Sequence, residues 1–394
     1  MNASHLALSL CTLLAAGCHC NEPVVTDDTS GPDVPDRDRG QWTSMGVLAD
    51  GTPVASYFDR SEDGLGVAFG HIRPGGTSWT YEEVDGFKDA DGLDTGDRGT
   101  YTSLVVGPDD VVWVAYYDIG NKSLRYARRQ FTMRADPMPT PAYEWEVGVA
   151  DTGGGARPDA GRWASMALDP AGNPVIAHYD AGKGQLRVVR WADGAFGSPV
   201  VIEGEEKPAG DTGGEATPAD VGTYADLAIA PDGTEYIAFY DAAWSRLLLA
   251  VGGASGYTVS TVDEEGEVGQ WPSIHVGEAG AVRIAYHDMG NQDLKFAAGT
   301  PGHFETHVVD DGPYVGADTE LFQNGDMLSI LYFDGQNDDL KLATLAAGNW
   351  TSSTIAGNDG TGLGFHNNVI VSNGTFYAGC YDYTNRSLWL GAIP

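Results

Sequence analysis

The side chains best suited to chemistry recur at one place in an internal repeat. A Gly followed two residues later by an aromatic opens a short strand at Trp42, Tyr101, Trp163, Tyr224 and Trp271. At the same place the sixth unit carries Asp318 and the seventh carries His366. Two residues further on most units have Ser, but unit four has Asp226, unit six Glu320 and unit seven Asn368. Aromatic rings gathered at one mouth can stack on sugar faces, and a few polar groups among them fix orientation. Two carboxyls and an imidazole can also act as general acid and base. Trp42, Tyr101, Trp163, Tyr224, Trp271 and Asp226 are therefore the candidate ligand-binding residues, and Asp318, Glu320 and His366 the candidate catalytic residues.

A separate acidic run, Asp89-Ala90-Asp91-Gly92-Leu93-Asp94-Thr95-Gly96-Asp97, alternates carboxylates with turn-forming Gly. Calcium asks for several oxygens at about 2.5 Å, so Asp89, Asp91 and Asp94 are candidate metal ligands and Ca²⁺ the candidate cofactor. The run lacks the bidentate Glu of an EF-hand loop. No Ser/His/Asp nucleophile motif, zinc-type Cys/His spacing or phosphate loop is present. A binding role is therefore placed ahead of an enzymatic one.

These residues are positioned by strands. A Tyr-rich strand ends in Asp seven times, at Asp59, Asp118, Asp180, Asp241, Asp288, Asp334 and Asp382. After each comes a polar turn and a short apolar strand, such as Leu124-Arg125-Tyr126-Ala127 or Leu294-Lys295-Phe296-Ala297. A further strand follows in most units, starting near Trp79, Phe196, Tyr257, Phe304 or Trp350. Four short strands per unit of ~40–60 residues predict a propeller blade. The near-continuous apolar run Val111-Val112-Trp113-Val114-Ala115 fits a strand covered on both faces by neighbouring blades. The predicted fold is all-β: a seven-bladed propeller of four-stranded antiparallel blades. The repeated Asp residues are expected to accept N–H groups in their own turns.

The seventh unit ends before its fourth strand. Val24-Val25-Thr26-Asp27-Asp28-Thr29-Ser30-Gly31 is similar to the fourth-strand ending Val308-Val309-Asp310-Asp311-Gly312. An N-terminal strand is therefore expected to pair with residues 386–390, closing the ring and removing an open edge. Uneven repeat lengths place long interblade links at 87–98, 151–160 and 203–221 on the face that carries the aromatics. A further insertion at 130–143 falls on the opposite face. Long loops on a rigid scaffold are where function usually lies.

The form strand, Asp-x-x-Gly, strand ending Tyr-Tyr-Asp, then Leu-x-Tyr-Ala resembles exported bacterial repeat proteins of the sialidase-like (BNR-type) propeller superfold. The resemblance covers residues 40–394. It implies a fold shared by lectins, hydrolases, lyases and scaffolds, so it carries no single activity. The Asp-box of sialidases, Ser-x-Asp-x-Gly-x-Thr-Trp, is reduced here to fragments such as Gly75-Gly76-Thr77-Ser78-Trp79, and no trio of substrate-binding arginines is identifiable. Sialidase activity is not expected.

At the N-terminus an apolar run from Leu6 to Ala16 is too short to span a bilayer and leads into Ala15-Ala16-Gly17-Cys18. This resembles a bacterial lipoprotein signal. The resemblance implies removal of residues 1–17, acylation of Cys18, a short tether at 18–23 and a single propeller domain at 24–394. His19 after the Cys implies outer-membrane or cell-surface delivery. Cys20 and Cys380 remain, and Cys380 reads as a small buried hydrophobe, although pairing with Cys20 stays open. A formal charge of −34 excludes nucleic acid as a partner and leaves the lipid anchor as the only membrane contact. The expected protein is a monomeric surface binding module for a glycan or an envelope protein. A polysaccharide hydrolase or lyase and an envelope scaffold are the alternatives.

Overall fold

The repeat spacing becomes seven antiparallel sheets in the computed structural model, which describes residues 37–88, 96–134, 140–154, 157–204, 220–277, 280–357 and 360–394. Each sheet runs in chain order from its first strand outward. The first strands are Arg39–Val47, Arg98–Val106, Ala160–Leu168, Val221–Ile229, Val268–Val276, Val315–Asn324 and Phe365–Ser372. Each contacts the next around the molecule, and the seventh contacts the first, so they line a common axis. The outer edge of blade three is split into Ala195–Phe196 and Val200–Glu203. Blade seven has three strands among the described residues. The expected closing segment, Val24 and Val25, lies outside the described residues, as do Cys18, Cys20, Asp89, Asp91 and Asp94. Among the described residues the regular structure is almost entirely β, with a 3-10 turn at Pro108–Asp110.

The second strands account for the continuous apolar runs. Pro53–Asp59, Val112–Asp118, Pro174–Asp180 and Glu235–Asp241 are buried at every position. A strand with a neighbouring sheet on each face has no solvent side, so polar alternation is lost. Between blades the core is aliphatic: Leu65, Leu124, Leu186, Leu247, Leu294 and Leu340, at the start of successive third strands, are fully buried. Each such burial stabilises by roughly 1.5–3 kcal/mol.

The glycine two residues before each aromatic position is dictated by this packing. Gly161 has φ +119° and Gly222 φ +113°. A Cβ on either would fall 2.7–2.8 Å from the Cα of Leu124 or Leu186 on the preceding blade. Only Gly permits both the backbone angle and the approach.

Six of the seven repeated Asp residues staple their turns, while Asp180 meets the Arg187 guanidinium at 2.7 Å. Asp118 Oδ1 accepts the Asn121 backbone N–H at 2.8 Å and Oδ2 accepts the Asn121 side-chain amide at 2.9 Å. Asp288 with Asn291 and Asp382 with Asn385 repeat the arrangement.

Other carboxylates join blades. Asp263, ending the fourth strand of blade four, accepts from the Tyr286 hydroxyl and from Lys295 Nζ of blade five, both at 2.6 Å. Asp310 does the same for Tyr332 and Lys341 of blade six, again at 2.6 Å. At the next junction the trio is replaced as a set by Ala356, Cys380 and Trp389, which pack in one apolar cluster. Cys380 is buried and has no disulfide partner among the described residues, and burial pushes its thiol pKa up to about 12.

Blades seven and one are joined by the same devices used elsewhere. The Tyr381 hydroxyl donates to Asp38 at 2.6 Å, as Tyr117 does to Asp159 at 2.7 Å and Tyr179 to Asp220 at 2.6 Å. Met45, Ala55, Tyr57, Ile370, Leu388 and Leu390 form their shared core. The insertion expected as a loop at 130–143 is instead mostly ladder. Ser123–Arg134 and Thr140–Asp151 extend one hairpin, pairing Gln130 with Glu144 and Phe131 with Tyr143. Alternating residues in that stretch supply β-propensity, which a count of surplus residues does not register.

Candidate functional site

A repeated backbone irregularity sets the site. Where each first strand pairs with its second strand, the register slips across two residues: between Gln41 and Ser44, Thr100 and Ser103, Arg162 and Ser165, and likewise in the other four blades. The first residue of each slip has positive φ: Trp42 56°, Tyr101 53°, Trp163 47°, Tyr224 54°, Trp271 45°, Asp318 49° and His366 56°. For a side chain bearing a Cβ, left-handed backbone costs on the order of 1–2 kcal/mol per residue. A bulge re-aims the side chain it carries. Here it re-aims seven toward one another.

The aromatics form a continuous arc at the axis. Ring centroids are 4.1 Å apart for Trp42–Tyr101, 5.1 Å for Tyr101–Trp163, 5.2 Å for Trp163–Tyr224 and 4.8 Å for Tyr224–Trp271. His366 continues the arc on the other side, 4.8 Å from Trp42. Rings on the second strands brace it from outside: Tyr117 with Tyr101, Tyr179 with Trp163, Tyr240 with Tyr224 and His287 with Trp271. Tyr101 is buried, while Trp42, Trp163, Tyr224, Trp271 and His366 are half-buried. The rings contact one another around the mouth.

Asp318 occupies the gap between Trp271 and His366. Burial pushes its carboxyl above the usual range, and the His366 imidazole and backbone N–H pull it partly back. Its backbone carbonyl accepts the Asn367 side-chain amide at 2.7 Å, and the Thr319 hydroxyl reaches the Trp271 carbonyl at 2.5 Å. These reaching hydroxyls and amides, one residue after the ring position, are a feature the sequence reading passed over. Their signal is a Thr or Asn in that place.

The polar row two residues along the strand has a structural duty. Ser44, Ser103, Ser165, Asp226 and Ser273 each accept a backbone N–H from the next blade, at Leu104, Met166, Leu227, Ile274 and Leu321, over 2.8–3.0 Å. Asn368 Oδ1 accepts from Met45 at 3.0 Å and completes the step from blade seven to blade one. Asp226 also accepts the Ser165 hydroxyl at 3.0 Å. Asp226, a candidate ligand-binding residue, and Asn368 thus take part in this latch, two residues beyond the ring positions of their strands. The Glu320 carboxyl makes no hydrogen bond among the described residues, although its backbone pairs with Leu331 in the ladder. Burial, aided by the Asp226 carboxylate, pushes its pKa up to about 8, so it is a neutral acid near pH 7.

The face around the mouth carries other rings. Trp244, 67% exposed, replaces the stapling Asn in the turn after Asp241, and Tyr314 and Tyr383 are also exposed on this face. Arg162 stands beside Trp163, engaged by Asp159 at 3.0 Å and lying over the Tyr117 ring at 5.4 Å. Among the described residues no group of three or more His, Cys, Asp or Glu side chains is placed to hold a metal ion.

No protein-family model matches the chain, and no curated protein matches it. Solved structures do match it in fold. An ulvan lyase of polysaccharide lyase family PL25, bound to -[GlcA(1-4)Rha3S]-, superposes with a TM-score of 0.58 at 10% identity over 90% of this chain and 94% of that one. The polysaccharide lyase Uly1 gives 0.54 at 12% identity over 89% of each chain. A Hadza microbial sialidase, Hz136, gives 0.46 at 14% identity over 75% of this chain and 63% of that one. At these identities the likeness is one of fold: this chain is a seven-bladed β-propeller similar in architecture to polysaccharide lyase propellers.

Proposed function

We propose that this chain is an exported, lipid-anchored binding module that takes a glycan at its axial mouth. The observation that carries the reading is the arc of five aromatic rings set on five of seven equivalent bulges, four of the five rings half-buried. Backbone strain repeated on bulky side chains is sustained only by a fold that over-determines it, and such strain clusters at binding sites. Exposed Trp244, Tyr314 and Tyr383 on the same face would extend the platform for a polymer. Two neighbours in fold that are polysaccharide lyases support the ligand class.

Glycan-array screening followed by calorimetry tests the reading. Trp163→Ala or Trp271→Ala should weaken the best glycan at least tenfold, about 1.4 kcal/mol. An intact, folded protein that binds no glycan on the array would overturn it. The anchor is tested separately: incorporation of labelled fatty acid should be abolished by Cys18→Ala.

One observation favours a second reading, a polysaccharide hydrolase or lyase. Glu320 is protonated near neutrality and so could donate a proton, with Asp318 and His366 nearby as acid–base partners. Turnover unaffected by Glu320→Gln and His366→Ala would remove those roles.

A further inference from the structure

We infer that the ligand carries a positive charge over the gap at Asp318, as an amino sugar or an oligomer bearing protonated amines does; the inference rests on the glycan reading above. The aromatic arc is open at one place, and that place is filled by a carboxyl rather than a ring. A cation there meets Trp271 on one side and Asp318 in the gap, with His366 between Asp318 and Trp42 on the other side. Cation–π attraction to the indole face strengthens as the site desolvates.

The charges around the axis point the same way. Glu320 stands two residues beyond Asp318 on the same strand and feels the Asp226 carboxylate, and His366 stands beside Asp318. The nearby Arg162 is held by Asp159 and by the Tyr117 ring. Buried carboxyls that lack a countercharge take up protons instead. Asp226, Asp318 and Glu320 all show this upward displacement. A cationic ligand would supply the missing charge, and the carboxyls would release protons as it bound.

The whole molecule adds a long-range term. At a formal charge of −34 it repels polyanions and attracts cations before contact.

Calorimetry with a glucosamine tetramer, its N-acetylated counterpart, a tetra-uronide and spermidine tests the inference, with each titration run in two buffers of different ionisation enthalpy. The expected result is at least tenfold preference for the glucosamine tetramer over the acetylated one, with proton release to buffer. Asp318→Asn combined with Glu320→Gln should reduce that preference to about twofold or less and abolish the proton release. Trp163→Ala should weaken both tetramers. Equal affinity for the two tetramers, or preference for the uronide, overturns the charge inference and leaves the glycan reading standing. Binding of spermidine alone, sensitive to Asp318→Asn, supports the charge inference while overturning the glycan reading. Binding of none of the four overturns the inference.

Discussion

Glu320 stands apart from its six counterparts because a longer acidic side chain was placed where a hydroxyl, an aspartate or an amide bonds to the next blade. Its folded pKa of about 8 lies above that of an exposed Glu. The folded state therefore holds a proton that the unfolded chain has released between about pH 4.5 and pH 8, so stability falls as pH rises through that window. Thermal unfolding should show a midpoint that drops between about pH 5 and pH 8, and Glu320→Gln should flatten the drop, at ~2–4 °C per kcal/mol for a large domain. A Gln variant with the same slope as the parent would show that the carboxyl is not the source. Trp163 and Asp226 show how neighbouring positions divide their duties at this scale. Both were legible as candidates; Trp163 belongs to the ring and Asp226 takes part in the latch. A spacing of two residues separates the roles, and only the bulge explains why.

At the scale of elements, the joints between blades come in two interchangeable kinds. One is the Tyr, Lys and Asp trio of Tyr332, Lys341 and Asp310; the other is the apolar trio of Cys380, Trp389 and Ala356. Removing one ionic partner strands a buried charge, whereas replacing the set with apolar groups often costs little. Lys341→Met should therefore destabilise by ~2–3 kcal/mol in chemical denaturation, and Asp310→Ala with Tyr332→Cys and Lys341→Trp should cost less than that single change. A triple variant weaker than the single would refute the equivalence. The glycines give a sharper case. Gly222→Ala puts a Cβ 2.7 Å from Leu186 Cβ at φ +113° and should cost about 3 kcal/mol or more, measured the same way. The recurrence of these glycines was plain in the sequence. Their reason, contact with the preceding blade's third strand, was not, because that strand lies about 35 residues earlier in the chain.

For the whole molecule, the ring joins its ends by the rules that join its middle, with Asn368 to Met45 and Tyr381 to Asp38. Blade seven shows three strands among the described residues, and the expected N-terminal strand at 24–31 would complete it. A chain beginning at Arg37 should accordingly unfold at lower temperature than one beginning at Cys18, and mix more readily into aggregates through the open edge. Equal midpoints and equal solubility would argue against that closure. Seven copies of a Tyr-Asp strand, a Gly-x-aromatic start and apolar second strands were enough to determine an all-β propeller, because each signal is local and repeats with the unit. Which side chains meet was decided only in the tertiary structure. The aromatic arc, the carboxyl in its gap and the blade-to-blade latch join residues some 45–325 positions apart, and their geometry follows from ring closure and a bulge that no single repeat displays.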